Sequence, residues 1–246
     1  MPATLVLQSH RDPLPFAWLR PCLDSVAAWA RCHGFDYRFI GDELFDGLDA
    51  DLRARTAAQP VIASDLARLE HLQRALDEGY DCAVWCDADF LVFDAAGLLL
   101  PSDAYALGRE VWVQHDARDR LRAYVKVHNA MLMFRRDNPF LGFYRDTAQR
   151  LVRGNHGSMA PQYIGPKWLT ALHNIAACPV IENAGMLSPL VMRDLLAGGG
   201  AALDLFRHKS AARPAGANLS SSVAAREGLD EGAMQDLVRR LLERGI

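Results

Sequence analysis

The sequence predicts an α/β fold, a mostly parallel central sheet flanked by helices. Short apolar runs alternate along the chain with segments of helical periodicity. One run, Ala83-Val84-Trp85-Cys86, is apolar without a break, as a strand covered on both faces requires. No repeat and no long linker divides the 246 residues, so one domain is expected. Half of the residues are hydrophobic and 23% are charged, which supports a sizeable core and excludes disorder. The balance of 27 basic against 30 acidic residues leaves a net charge of −3. A nucleic-acid binder needs a basic footprint to exchange for counterions, so no nucleic-acid partner is expected. Five scattered cysteines without a CxxC pair form neither a disulfide framework nor a zinc site. The first residues lack the basic leader and apolar stretch of a secretion signal, and no apolar window is long enough to span a membrane. The expectation is a cytoplasmic protein, peripheral to a membrane at most, of unknown oligomeric state.

The elements follow in order. Leu5-Val6-Leu7 reads as a buried strand, and a helix beginning near Pro21 places Cys22, Val26, Trp29 and Ala30 on one face before Gly34 stops it. Tyr37 to Ile40 is a second strand, and a polar, Arg-rich stretch covers 41–59. Ser64 is placed as the cap of a helix running to about Glu78, with Leu66, Leu69, Gln73 and Leu76 inward. Ala83–Cys86, Val111–Val113 and Ala130–Phe134 are strands. Asn138-Pro139 opens a helix that Gly154 closes, a loop of 155–166 leads into a further apolar segment, and Ser188-Pro189 starts a helix that Gly198-Gly199-Gly200 ends. Residues 207–222 read as loop, and 230–243 as an amphipathic helix with Met234, Leu237, Val238, Leu241 and Leu242 on one face.

The chemistry concentrates where the apolar strand runs directly into Asp87-Ala88-Asp89. In open α/β sheets the ligand crevice lies beyond the carboxyl ends of the strands, so both acids emerge there. Neighbouring carboxylates held partly out of water need a cation or donors to compensate them. Two unit charges at 4 Å repel by roughly 4 kcal/mol at an effective dielectric of 20, so a diphosphate would be rejected by this pair alone. A hard divalent ion, Mn²⁺ or Mg²⁺, reverses that sign, since such ions use one or two carboxylates together with substrate phosphates. The bland alternative is a solvated acidic turn. Asp65 and Arg68 stand three apart on one helix face, where they form either a grip for sugar hydroxyls and phosphate or a simple intrahelical ion pair.

Ser64-Asp65-Leu66-Ala67-Arg68 followed by Val84-Trp85-Cys86-Asp87-Ala88-Asp89 resembles the GT-A glycosyltransferases with a DxD motif. The pattern is similar to the retaining groups, glycogenin-like and lipopolysaccharide-type enzymes and the relatives of fungal mannosyltransferases and glucosylating toxins. His128-Asn129-Ala130-Met131-Leu132-Met133-Phe134 looks like their Asn-plus-small-residue strand, and Gln162 to Thr170 like their Gly-Pro…Leu-Thr segment. The resemblance implies a single GT-A (Rossmann-like) domain, with 1–100 as the nucleotide-sugar half and 101–246 as the acceptor half. It implies Asp89 as main metal ligand, Asp87 on metal, ribose or donor sugar, and Asp65 and Arg68 on donor sugar or nucleotide. Asn129, Gln162, Gly165 and Pro166 would line the sugar pocket, Gln162 near the reacting face, and Gln8 and Ser9 would contact the nucleotide. The Gly-Gly-x-Tyr that often precedes DxD is replaced by Gly79-Tyr80-Asp81, and the closing His-x-x-Gly-x-x-Lys is absent. His208 is the candidate third metal ligand, with Asn218 and Ser220 as alternative donors to metal or phosphate.

The implied function is metal-dependent transfer of a sugar, with retention, from a UDP- or GDP-sugar to a hydroxyl of a glycan, lipid-linked or small-molecule acceptor. Two alternatives stay open. A haloacid dehalogenase-type phosphatase also puts D-x-D after a buried strand, though Leu91 stands where that family has Thr or Val. A non-catalytic nucleotide-sugar-binding protein could keep the same scaffold. A P-loop is excluded, because Ala201 follows the three glycines and no Gly-Lys-Ser/Thr is present.

Overall fold

The structure is a computed structural model that describes residues 3–246. Its central sheet uses β1 (Thr4–Ser9), β2 (Asp36–Ile40), β3 (Cys82–Cys86), β5 (Tyr105–His115), β6 (Leu121–Arg135) and β7 (Val180–Ile181), in the spatial order β2-β1-β3-β6-β5-β7. Five strands run in one direction and β6 runs against them. The sheet is therefore mostly parallel, as expected. A smaller sheet has the order β4 (Phe90–Val92), β9 (Gly216–Asn218) and β8 (Ala184–Met186).

Alternation explains why the middle of β1 and the whole of β3 are apolar. Leu5, Leu7, Ala83 and Trp85 face one core, shared with Leu66 and Leu69 of α3 (Pro60–Asp77) and Tyr144 of α4 (Phe140–Gly154). Val6, Val84 and Cys86 face the other, shared with Val26, Trp29 and Ala30 of α1 (Leu19–Cys32). Both faces are thus covered, which is the condition for a two-sided apolar strand. A third core joins Val111 and Val113 of β5 to α6 (Pro189–Ala197), α7 (Ala201–Lys209) and α9 (Glu231–Arg244).

Several boundaries differ from the sequence reading. Helix α3 starts at Pro60, whose missing N–H suits the first helical position, and Ser64 lies inside the helix with its Oγ donating to Pro60 O at 2.9 Å. The stretch 41–59 contains a 3₁₀ turn (Asp42–Gly47) and α2 (Ala50–Thr56), capped by the Asp49 side chain. The strands read at 111–113 and 130–134 are the middle and end of one long hairpin, β5–β6. The segment read as loop after 206 holds the end of α7, strand β9 and α8 (Ser221–Arg226). The remaining helix, α5 (Pro166–Ala176), begins at the Gly165-Pro166 step.

Candidate active site

Asp87 and Asp89 occupy a tight turn between β3 and β4, closed by Phe90 N donating to Asp87 O at 3.0 Å. The turn lies at the carboxyl end of β3, between the last residues of β1 and the middle of β6. Gln8, fully buried at the end of β1, donates from Nε2 to Asp87 O at 3.0 Å and accepts from Tyr37 Oη at 3.1 Å. The Asp87 amide donates to Ala130 O of β6 at 2.8 Å. Next to Gln8, at the last residue of β1, the Ser9 Oγ is buried without a hydrogen-bond partner among the described residues.

The two acids are held differently. Asp87 Oδ1 accepts from Trp85 Nε1 at 2.7 Å and pairs with Arg68 Nη1 at 3.0 Å, while its Oδ2 takes no donor among the described residues. Arg68 is itself bound on all sides. Its Nη2 pairs with Asp65 Oδ1 at 3.0 Å, its Nη1 donates to Asn129 O at 2.7 Å, and its guanidinium lies over the Trp85 ring. Asn129 Nδ2 completes the cluster with a 2.8 Å bond to Asp65 Oδ1. Gly165 sits against that pair: a Cβ there would stand 2.7 Å from Asn129 Nδ2 and 2.8 Å from Asp65 Oδ2. Only a residue without a side chain lets the start of α5 approach so closely.

Asp89 leans the other way, onto the small sheet. Asn218 Nδ2 donates to its Oδ1 at 2.5 Å and the Ser221 amide to its Oδ2 at 2.9 Å. Asn218 Oδ1 in turn accepts from Ser220 N at 2.8 Å, and Ser220 adopts a left-handed conformation (φ 47°) that turns the chain into α8.

Burial governs the electrostatics. It pushes the Asp87 carboxyl up to about 7, against the pull of Arg68, with Asp89 adding to the rise. It also raises Asp65 above its ordinary value despite Arg68 and Asn129. Burial opposes the Arg68 charge, yet Asp87 and Asp65 hold its pKa above the usual arginine value. When all three carboxylates are ionised, the single guanidinium leaves two negative charges in excess around the turn.

That excess, the Asp87 Oδ2 without a donor among the described residues and the half-buried position of both acids fit a hard divalent ion. No group of three or more His, Cys, Asp or Glu side chains able to hold a metal occurs among the described residues. Such an ion would therefore draw Asp87 and Asp89 from the chain and its other ligands from phosphate or water, an ordinary set for Mg²⁺. His208 does not join them. Leu203 and Phe206 bury the inner face of α7 and carry the helix through position 209, leaving His208 exposed on its last turn. Asn218, the alternative, is the residue that meets Asp89.

Of the other residues singled out in the sequence, Asp65, Arg68, Asn129, Gly165 and Gln8 converge on Asp87, and Asn218 and Ser220 converge on Asp89. Asp65 and Arg68, 3% and 6% exposed, are foundations of Asp87 rather than open grips for hydroxyls. Gln162 is exposed in the turn before α5, and its carbonyl accepts from Lys167 N at 3.1 Å. The sequence reading missed Trp85 Nε1, Ser221 and His128 as site-building groups. A tryptophan two residues before the first acid is the one local signal that could have been used. A cavity of about 220 Å³, lined by Phe16, Trp18, Leu229 and Met234 among others, touches this site through Ser221, whereas a larger one of about 420 Å³ between α1 and α9 lies away from it.

No protein-family model and no curated protein matches the chain. Its fold does match a solved structure. A glycosyltransferase involved in the glycosylation of the major capsid of PBCV-1 superposes with a TM-score of 0.54 at 13% identity, over 95% of this chain and 100% of that one. The chain has the GT-A glycosyltransferase fold. The galactosyltransferase LgtC, crystallised with donor and acceptor sugar analogues, gives a TM-score of 0.48 at 13% identity over 96% of this chain and 95% of its own. Mouse xyloside xylosyltransferase 1 gives 0.44 at 11% identity over 90% and 98%. At such identities a likeness establishes architecture, and the chemistry rests on the residues described above.

Proposed function

We propose that this protein is a glycosyltransferase that moves a sugar from a UDP- or GDP-sugar to a hydroxyl of a glycan, lipid-linked or small-molecule acceptor, with retention at the anomeric carbon. One observation carries the reading: an ionic cluster assembled from α3 and β6, with Gly165 packed against it, meets Asp87, with Asp89 beside it, at the strand ends of a GT-A sheet. The excess negative charge there supports a divalent cation, Mn²⁺ or Mg²⁺, held by Asp87 and Asp89. Bound there, the ion supplies charge neutralisation for a departing diphosphate. The chain's own residues do the positioning. Arg68 and Trp85 hold Asp87, Asn218 and the Ser221 amide hold Asp89, and Asn129 and Gly165 shape the wall on which the sugar rests.

Transfer breaks the bond between the anomeric carbon and the phosphate oxygen and forms one to the acceptor oxygen. On the retaining course the acceptor attacks from the leaving-group face and its proton passes to the departing phosphate. Gln162, exposed before α5, is the candidate neutral group at the reacting face. Among the described residues no helix is long and apolar enough to cross a membrane, and we place the protein in the cytoplasm, at most at a membrane surface. The division into a donor half (1–100) and an acceptor half (101–246) belongs to the same proposal.

The test is a panel of UDP- and GDP-sugars with and without Mn²⁺, scored by nucleotide release and by the anomeric configuration of the product. Metal-dependent release with the donor's configuration kept supports the reading. Inverted product removes retention. Tight metal-dependent binding without turnover replaces the enzyme by a binding protein, and phosphomonoester hydrolysis with phosphate trapped on Asp87 replaces it by a phosphatase.

A further inference from the structure

A single buried histidine connects the two sides of the site. Strand β6 pairs regularly with β5 up to Leu107↔Leu132 and resumes at Gly108↔His128, so residues 129–131 bulge out of the hairpin. This bulge supplies Asn129 O to Arg68, Asn129 Nδ2 to Asp65 and Ala130 O to the Asp87 amide. At its base lies His128, fully buried. The Ala130 amide donates to His128 Nδ1 at 3.1 Å, so that nitrogen carries no proton; Nε2–H then donates to Ala184 O of β8 at 3.1 Å. Ala184 pairs with Gly216 of β9, and β9 ends in Asn218, the partner of Asp89. The ring packs against Gly108, where a Cβ would stand only 2.1 Å from its Cε1 and 2.4 Å from its Nε2.

We propose that His128 is a positioning residue: one ring nitrogen holds the 129–131 bulge against Asp87, and the other ties that bulge to the strands carrying Asn218 and hence Asp89. The hydrogen-bond pattern stands independently of the reaction, but its consequence for catalysis rests on the glycosyltransferase reading. Burial lowers the His128 pKa to about 4, so the neutral ring and its single tautomer persist at physiological pH.

Two variants separate the two bonds. His128→Asn puts an acceptor near the Nδ1 position and cannot reach Ala184; His128→Gln puts a donor near the Nε2 position and loses the acceptor for Ala130. The full-length chain is followed by amide hydrogen exchange and, with a donor found in the panel above, by steady-state kinetics. In His128→Gln, exchange at Asp87 and Ala130 rises at least about tenfold above the change at Leu5–Leu7, and kcat falls about tenfold to a hundredfold with KM little changed. In His128→Asn the exchange increase moves to 184–186 and 216–218. A uniform increase over the whole sheet, or none at Asp87 in His128→Gln, overturns the proposal. Should both variants fail to fold, ¹⁵N spectra of the wild-type imidazole decide: a protonated Nε2 and bare Nδ1 from pH 5.5 to 8 support it, and a protonated Nδ1 overturns it. If no nucleotide sugar is turned over, the glycosyltransferase reading fails while the exchange and imidazole results still test His128.

Discussion

Asp87 and Asp89 are two residues apart, yet their surroundings are opposite in kind. Asp87 is bound into an ionic cluster with Arg68, Asp65 and Asn129, whereas Asp89 is held by the Asn218 amide side chain of the small sheet and the backbone N–H of Ser221 at the start of α8. The first arrangement ties a charge to the fold; the second orients a carboxylate without neutralising it. Changes on the Asp87 side should therefore register in stability, and changes on the Asp89 side chiefly in ligand binding and turnover.

Removing the shared cation gives the largest effect. Arg68→Met leaves Asp65 and Asp87 without their partner in a buried setting and is expected to cost about 3–5 kcal/mol in urea unfolding. Arg68→Lys should recover only part of this, because an ammonium lacks the planar fork that reaches both carboxylates and Asn129 O.

Next comes the pH dependence of the bulge. His128 has a folded-state pKa near 4, below the ordinary histidine value near 6.5. The unfolded chain thus binds more protons between those values, and stability is lost as pH falls from about 6.5 towards about 4. Between pH 6.5 and 4.5 the wild type should lose on the order of 2 kcal/mol more than His128→Gln, which has no titrating group there. Parallel denaturation curves at several pH values check this. An equal loss in both proteins would place the acid sensitivity elsewhere.

Gly165→Ala probes the wall of the cluster. The new Cβ would crowd Asn129 Nδ2 at 2.7 Å and Asp65 Oδ2 at 2.8 Å, and the expected cost is about 1–3 kcal/mol by thermal unfolding. Asp89→Asn should be the mildest of the set for folding. Its amide oxygen can still accept from Asn218, and losing one acceptor for the Ser221 amide costs about 1 kcal/mol.

The contrast also explains what could be read from the sequence. The Asp87 side announces itself, because an apolar strand followed by two acids, and an acid and arginine at helical spacing, are local patterns. Strand β9 hides, because Gly216-Ala217-Asn218 shows no apolar run. A Cβ at Gly216 would stand 2.8 Å from Phe90 Cε1 and 3.0 Å from Leu91 O, so small size is what admits this strand beside β4. The sequence accordingly offers Asn218 only as an alternative to His208, since nothing in the spacing shows that α7 carries His208 outward. Residues 129–131 read as plain strand for a similar reason. A bulge set by a ring lying on Gly108, twenty residues away in sequence, leaves no periodic trace. Ser64 looked like a helix cap because its chemistry suits one, but Pro60 had already begun the helix.

The central claim is that Asp89 keeps its charge for a bound cation and not for the fold. The direct measurement is Mn²⁺-dependent nucleotide release by the wild type and by Asp89→Asn, each shown by circular dichroism to be folded. Release that requires Mn²⁺ in the wild type and drops at least about a hundredfold in Asp89→Asn, whose unfolding midpoint barely moves, is the predicted result. Release at an undiminished rate in the folded Asp89→Asn variant would contradict the account.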